Sequence, residues 1–123
     1  MNKTVLVVDD DELVRGSLAR TLKEKGLEVF EAANGKEGLE KALAGGVDLV
    51  VTDVIMPEVD GLTMLGKLRE DSKGKDIPAI ILSNDEQTES RNKAMEAGVT
   101  MYMSKATLDA DALAEQILVA VGA

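Results

Sequence analysis

The sequence predicts an α/β fold, a doubly wound parallel sheet with helices on both faces. Three observations carry that expectation. Thr4-Val5-Leu6-Val7-Val8, Leu49-Val50-Val51 and Ile80-Ile81-Leu82 are short, continuous apolar runs rich in β-branched residues, the pattern of strands buried on both faces. Helical periodicity lies between them, as in Val14, Leu18 and Leu22 at four-residue spacing. Strand and helix patterns alternate five times with short links. Right-handed crossovers turn such an alternation into one sheet.

In chain order, Thr4 to Val8 is the first strand and stops in the triplet Asp9-Asp10-Asp11. Asp11 is read as the N-cap of the helix that follows, and Gly26 as its stop. Leu27 to Ala33, carrying Glu28 and Glu31, is a weaker, edge-like strand. Asn34 caps a short helix holding Leu39, Ala42 and Leu43, ended by Gly45-Gly46. The central strand follows and ends at a lone carboxylate, Asp53, because Pro57 cannot continue a ladder. After Asp60-Gly61 comes a helix with Leu62, Leu65 and Leu68 inward and Gly74 beyond its end. Ile77 to Ser83 is the fourth strand, with Pro78 tolerable near its start. Asn84 to Lys93 opens a fourth helix that closes at Ala97-Gly98; its apolar face is thin, with little beyond Ala94, Met95 and Ala97. Thr100 to Ser104 is the fifth strand, and Leu113, Ile117, Leu118 and Val121 mark the fifth helix. One domain over 1–123 is expected, with no linker and no output domain in view.

Composition excludes several functions. The net charge of −9 disfavours polyanions, so direct nucleic-acid binding is not expected. No apolar run is long enough to span a bilayer, and no signal peptide is expected before the first strand. With zero cysteines there is no disulfide framework or thiolate metal site, and a cytoplasmic setting is expected. With zero histidines there is no imidazole base or ligand. Chemistry must run on carboxylates, hydroxyls, lysines and a bound ion.

Such groups gather at one edge of the predicted sheet. The first strand delivers Asp9 and Asp10, the third Asp53, the fourth Ser83 and the fifth Lys105, all at carboxyl ends, where open α/β sheets bind ligands. Converging carboxylates repel unless a hard divalent cation sits among them, and Mg²⁺ suits such a set. Lysine and serine then supply a point charge and a neutral donor for phosphoryl oxygens. A carboxylate beside that ion and lysine is poised to attack phosphorus. A single Asp at a strand end is more often a cap; it is the joint placement that carries the reading.

These residues resemble the receiver domains of two-component response regulators, and in particular the stand-alone chemotaxis-regulator type. The resemblance runs end to end through Val7-Val8-Asp9-Asp10-Asp11, Asp53-Val54-Ile55-Met56-Pro57 with Asp60-Gly61, Leu82-Ser83, Ala97-Gly98, and Tyr102 three residues before Lys105. It implies a flavodoxin-like (βα)5 sheet of order 2-1-3-4-5. It implies that Asp53 takes a phosphoryl group from a phosphohistidine. Asp10, Asp53 and the Ile55 carbonyl would bind Mg²⁺, with Asp9 in support largely through water, and Lys105 would pair with Asp53 and the phosphoryl group. Ser83 would donate to the new phosphoryl oxygen and Tyr102 would turn inward, repacking the face of the fourth helix, fifth strand and fifth helix. Because the chain has no histidine, the donor is a histidine kinase or phosphotransfer protein.

The function implied is a phosphorylation-controlled signalling switch, not an enzyme beyond its own phosphorylation and dephosphorylation. A monomer is expected, the switching face being the surface a dimer would use. The alternatives are an aspartyl-phosphate phosphatase and a receiver fragment of a longer DNA-binding or hybrid regulator. Against the phosphatase, Leu13 stands where a Thr or Val is needed. An FMN carrier is disfavoured by 2% aromatic content.

Three features depart from the family pattern. Ala106 follows Lys105 where proline with a cis bond is usual, and a trans bond is expected because cis before a non-proline residue costs about 2.5–4 kcal/mol. Asn84 is larger than common. Ile55, with Asp85 opposite, offers no polar group to attacking water. Leu13 and Val14 are read as a wide apolar stripe of the first helix, the rival reading being a kinase-docking contact. Slow-to-moderate self-dephosphorylation is expected; loss of label from the isolated phosphoprotein within seconds would count against it.

Overall fold

The computed structural model describes residues 3–53, 61–83, 92, 95–96, 98–99, 101–104 and 109–122. The apolar runs form β1 (Thr4–Val8), β2 (Glu28–Ala32), β3 (Leu49–Thr52), β4 (Ala79–Ser83) and β5 (Met101–Ser104). All neighbours pair in parallel, in the order β2-β1-β3-β4-β5, as the resemblance implied. Every residue of β1 and β3 is buried, because helices cover both faces. At the edge, β2 leaves Glu28 and Phe30 exposed, and charge on such a strand discourages pairing with a foreign edge. β4 begins at Ala79 rather than Ile77. Pro78 has no N–H to donate, but its carbonyl accepts from the Val50 N–H at 3.0 Å and leads into the ladder from outside.

Alternation along the strands divides the core in two. Leu6, Val8, Val50 and Ile81 face one way and pack with Ala42 of α2 (Gly35–Leu43) and Met64, Leu65 and Leu68 of α3 (Gly61–Glu70). Val5, Val7, Leu49, Val51 and Ile80 face the other, against Leu18 and Leu22 of α1 (Glu12–Glu24) and Leu113 and Ile117 of the C-terminal helix (Ala110–Val121). Met64 and Ala114 complete these faces unforeseen, while Leu62 and Leu118 are only half-buried at their margins.

The stripe expected of Leu13 and Val14 is narrower. Val14 is half-buried, whereas Leu13 is 85% exposed, lying five residues and about 140° around the helix from Leu18. Of the expected fourth helix, Asn92, Met95 and Glu96 are helical and exposed; 84–91, 93, 94 and 97 lie outside the described residues.

Helix starts follow the expected chemistry. The Asp11 carboxylate accepts from the N–H groups of Leu13 and Val14 at 3.0 and 3.2 Å, and Asn34 accepts from the Glu37 N–H at 2.8 Å. Asp109 caps the C-terminal helix, accepting from the Ala112 N–H at 2.8 Å. Gly26 follows α1 at φ 93°, the left-handed conformation that stops a helix at low cost. From the last turn of α3, the Arg69 guanidinium donates to the carbonyls of Gly74 and Ile77 at 2.8 and 2.7 Å and reaches that of Gly98 at 3.4 Å. It fastens the link into β4 to the turn before β5.

Glu37 ties α2 back to the strand that feeds it. Its carboxylate accepts from the Ala33 N–H at 3.3 Å and pairs with Lys41 at 3.0 Å, and Lys41 also donates to the Glu31 carbonyl. The Lys41 hydrogen bond, then that from Ala33, hold the Glu37 carboxyl below its ordinary value of 4.5. A depressed folded-state pKa stabilises above the unfolded value, and the effect is lost as pH falls through the folded value. Glu37→Gln should therefore lower stability at pH 7 by roughly 0.3 kcal/mol, the scale of an exposed helical pair. The difference from the parent should vanish as the pH falls below 4.5, as urea unfolding at several pH values would read.

Candidate functional site

Register brings the acidic residues together. Val8 of β1 lies opposite Thr52 of β3, so the next residues, Asp9 and Asp53, leave the sheet side by side. Backbone bonds hold both: the Asp9 N–H donates to the Ala32 carbonyl and the Asp53 N–H to the Val8 carbonyl, each at 3.0 Å. Asp9 is buried, Asp53 half-buried and Asp10 exposed, a gradient from the sheet to solvent. One carboxylate oxygen from each of the three lies within 4.8 Å of the others. The donors are all oxygen and anionic, the chemistry a small hard cation selects, with water completing the shell.

The backbone around these side chains is pinned. The Asp11 N–H donates to the Asp9 carboxylate at 2.9 Å. Nη1 of Arg15, a residue the sequence reading passed over, donates to the Asp9 carbonyl at 2.7 Å, while its Nε pairs with Glu31 on β2 at 3.2 Å. Only the acid-bearing edge strand hinted at this partner. On the other side, the buried Thr52 hydroxyl donates to the Asp53 carbonyl at 3.0 Å. Gly61, the first residue of α3, sits so close that an added Cβ would lie 1.9 Å from that carbonyl oxygen. The glycine of Asp60-Gly61 is thus required by close approach, a reason the motif alone did not give.

The other strands end at the same edge. Ser83 closes β4 in register with Ser104 of β5. Tyr102 lies opposite Ile81, half-buried and packed against the α2–α3 side of the core. The Ser83 side chain, Ile55, Asn84, Asp85, Lys105 and the Lys105–Ala106 bond lie outside the described residues. Among the described residues, the structure therefore joins three of the expected site side chains and leaves Ser83 placed by its backbone.

The family model for the response regulator receiver domain matches residues 5–118. The chain belongs to this family. The receiver is 40% identical over 101 residues to the response regulator MprA of Mycolicibacterium vanbaalenii, covering 82% of this chain and 43% of that protein. It is 34% identical over 113 residues to the gliding motility regulatory protein of Myxococcus xanthus, covering 92% of this chain and 14% of that one. The receiver thus spans less than half the length of either relative. Among solved structures, it superposes on the chemotaxis protein CheY4 of Vibrio cholerae with a TM-score of 0.89 and 28% identity, covering 97% and 98% of the two chains. A CheY-like receiver domain protein of Methanospirillum hungatei gives 0.90 and 26%, covering 99% and 95%. No helix among the described residues is long and apolar enough to cross a membrane.

Two glycines of α3 make opposite predictions. Gly61→Ala should reduce unfolding free energy by about 1–3 kcal/mol, because backbone must shift to admit the methyl group. Gly66→Ala, with open space around its Cβ, should gain about 0.5–1 kcal/mol. Urea denaturation of both variants reads the contrast.

Proposed function

We propose that residues 1–123 act as one receiver unit in which Asp53 accepts a phosphoryl group from a phosphohistidine on a histidine kinase or phosphotransfer protein. The observation that carries the reading is the clustering of Asp9, Asp10 and Asp53 oxygens within 4.8 Å at the carboxyl ends of adjacent strands, in a chain of the receiver family. In the step proposed, an Asp53 carboxylate oxygen forms a bond to phosphorus as the phosphorus–nitrogen bond breaks. The imidazole nitrogen leaves with the electron pair and takes a proton from solvent. With zero histidines in residues 1–123, the phosphohistidine lies outside this receiver unit.

Asp10, Asp53 and the Ile55 carbonyl are the proposed ligands of Mg²⁺, with buried Asp9 supporting them. Bound there, the ion would neutralise charge on the transferring oxygens and ease the approach of one anion to another. Lys105 supplies a positive charge to the phosphoryl group and to Asp53, and Ser83 donates to a phosphoryl oxygen. Product charge is then sensed by Ser83 and transmitted through Tyr102, whose half-buried ring can move further in without exchanging a full exposure for a full burial. The surface that changes combines the segment after β4, β5 and the C-terminal helix. With a net charge of −9, that surface addresses a protein rather than a nucleic acid, in the cytoplasm, and the unit works as a monomer. Catalysis is limited to its own phosphorylation and dephosphorylation.

Incubation with Mg²⁺ and acetyl phosphate tests the proposal. The chain should gain one acid-stable, base-labile phosphoryl group, seen as a single mass increment, and Asp53→Asn should gain none. Labelling that survives Asp53→Asn, or rapid turnover of many donor molecules without a stable adduct, would overturn it.

A further inference from the structure

Asp10 is the exposed member of the acidic cluster, and an exposed side chain on a free loop would be a poor ligand. Its two flanking peptide groups are both held. On one side, the Asp9 carbonyl accepts from Arg15 Nη1 at 2.7 Å. On the other, the Asp11 N–H donates to the Asp9 carboxylate at 2.9 Å. With both neighbouring peptide planes fixed, the direction in which Asp10 leaves the backbone is fixed too. Asp11 is secured in turn, because its carbonyl accepts from the Arg15 N–H at 2.9 Å and its carboxylate caps α1.

Arg15 is itself held in place. Its side chain is 15% exposed, and its Nε is paired with Glu31 of β2 at 3.2 Å. A planar guanidinium presents several donors in one rigid fork, so a single side chain spans a carbonyl at the exit of β1 and a carboxylate on the edge strand β2. We infer that Arg15, braced by Glu31, is a positioning residue that sets Asp10 for divalent-cation binding. This rests on the metal-dependent reading of the acidic cluster proposed above.

The inference has a sign that separates it from simple electrostatics. A cation near three carboxylates should weaken binding of another cation, so removing Arg15 would tighten metal binding if charge alone mattered. As a positioning residue it does the reverse: its loss frees the Asp9–Asp10 peptide and weakens binding. Lysine retains the charge but offers one nitrogen on a flexible stem, which does not reproduce the fork.

The test titrates Mn²⁺ into the full chain, following free ion by electron paramagnetic resonance, for the parent, Arg15→Met and Arg15→Lys. Dissociation constants should rise about tenfold for Arg15→Met and several-fold for Arg15→Lys, in line with loss of a charge-assisted hydrogen bond. With acetyl phosphate, the Mg²⁺ concentration for half-maximal phosphorylation should rise in parallel, while the rate at saturating Mg²⁺ stays near that of the parent. Urea unfolding checks the fold, and Arg15→Lys decides alone if Arg15→Met does not fold. Tighter binding in Arg15→Met, or Mn²⁺ binding by the folded variants within twofold of the parent, overturns the inference and leaves the cluster reading standing. Absence of Mn²⁺ binding by the parent overturns both.

Discussion

Two parallel strands paired in register must end together, and on this constraint the rest of the molecule depends. Val8 and Thr52 are partners, so the carboxylates that follow each are forced into proximity by the ladder rather than by attraction. Left to electrostatics, Asp9, Asp10 and Asp53 would separate. The sheet denies them that choice because β1 and β3 are buried throughout and cannot slip: a shift of one residue would turn every core side chain to the wrong face. The apolar core thus holds the acidic pocket in a repulsive arrangement that a cation or a phosphoryl chemistry can use.

Such an arrangement needs a stiff surround, and the groups that stiffen it are backbone-directed. Thr52, Arg15 and the Asp11 N–H each address a main-chain or carboxylate atom of the acidic residues, and Gly61 admits α3 to within contact of Asp53. Each fixes a peptide plane without occupying the space where a ligand would sit. Oxygens on fixed planes lose little freedom on binding an ion, whereas oxygens on a mobile loop would lose more.

Much of this fold was legible from the chain because its strands announce themselves locally. β1 and β3 are continuous β-branched runs, and Asp11 and Asn34 sit at helix starts where their side chains cap the first N–H groups. Asp9, Asp10 and Asp53 could be placed together because strand ends follow from strands. What escaped was whatever depends on packing between elements distant in sequence. Arg15 looked like a surface residue of an amphipathic helix until β2 brought Glu31 beside it. Gly61 stood only as part of the Asp60-Gly61 motif, since no local pattern reveals how near α3 passes to Asp53. Leu13 was assigned to an apolar stripe, yet the helix rotates it into solvent. Met64, unbranched and adaptable, is fully buried on α3, whereas Leu62 of the leucine spacing packs only at the core's margin.

The two halves of the sheet are unequally equipped to absorb a new charge, and the asymmetry gives the proposed switch its direction. On the side of β2, β1 and β3, the pocket is bound by α1's cap, the Arg15–Glu31 pair and the Gly61 contact, each of which would have to break before backbone moved. Beyond β4, the described residues of the next helix, Asn92, Met95 and Glu96, are exposed, and Tyr102 is only half-buried. Exposed or half-buried side chains such as these described ones rearrange at little free-energy cost. In the proposed switch a dianionic group at Asp53 is therefore answered around Tyr102 and the segment after β4, while β4 itself, buried from Ala79 to Leu82, keeps its place in the sheet. Direction in such a switch follows from where the fold is weakly held as much as from where the charge arrives.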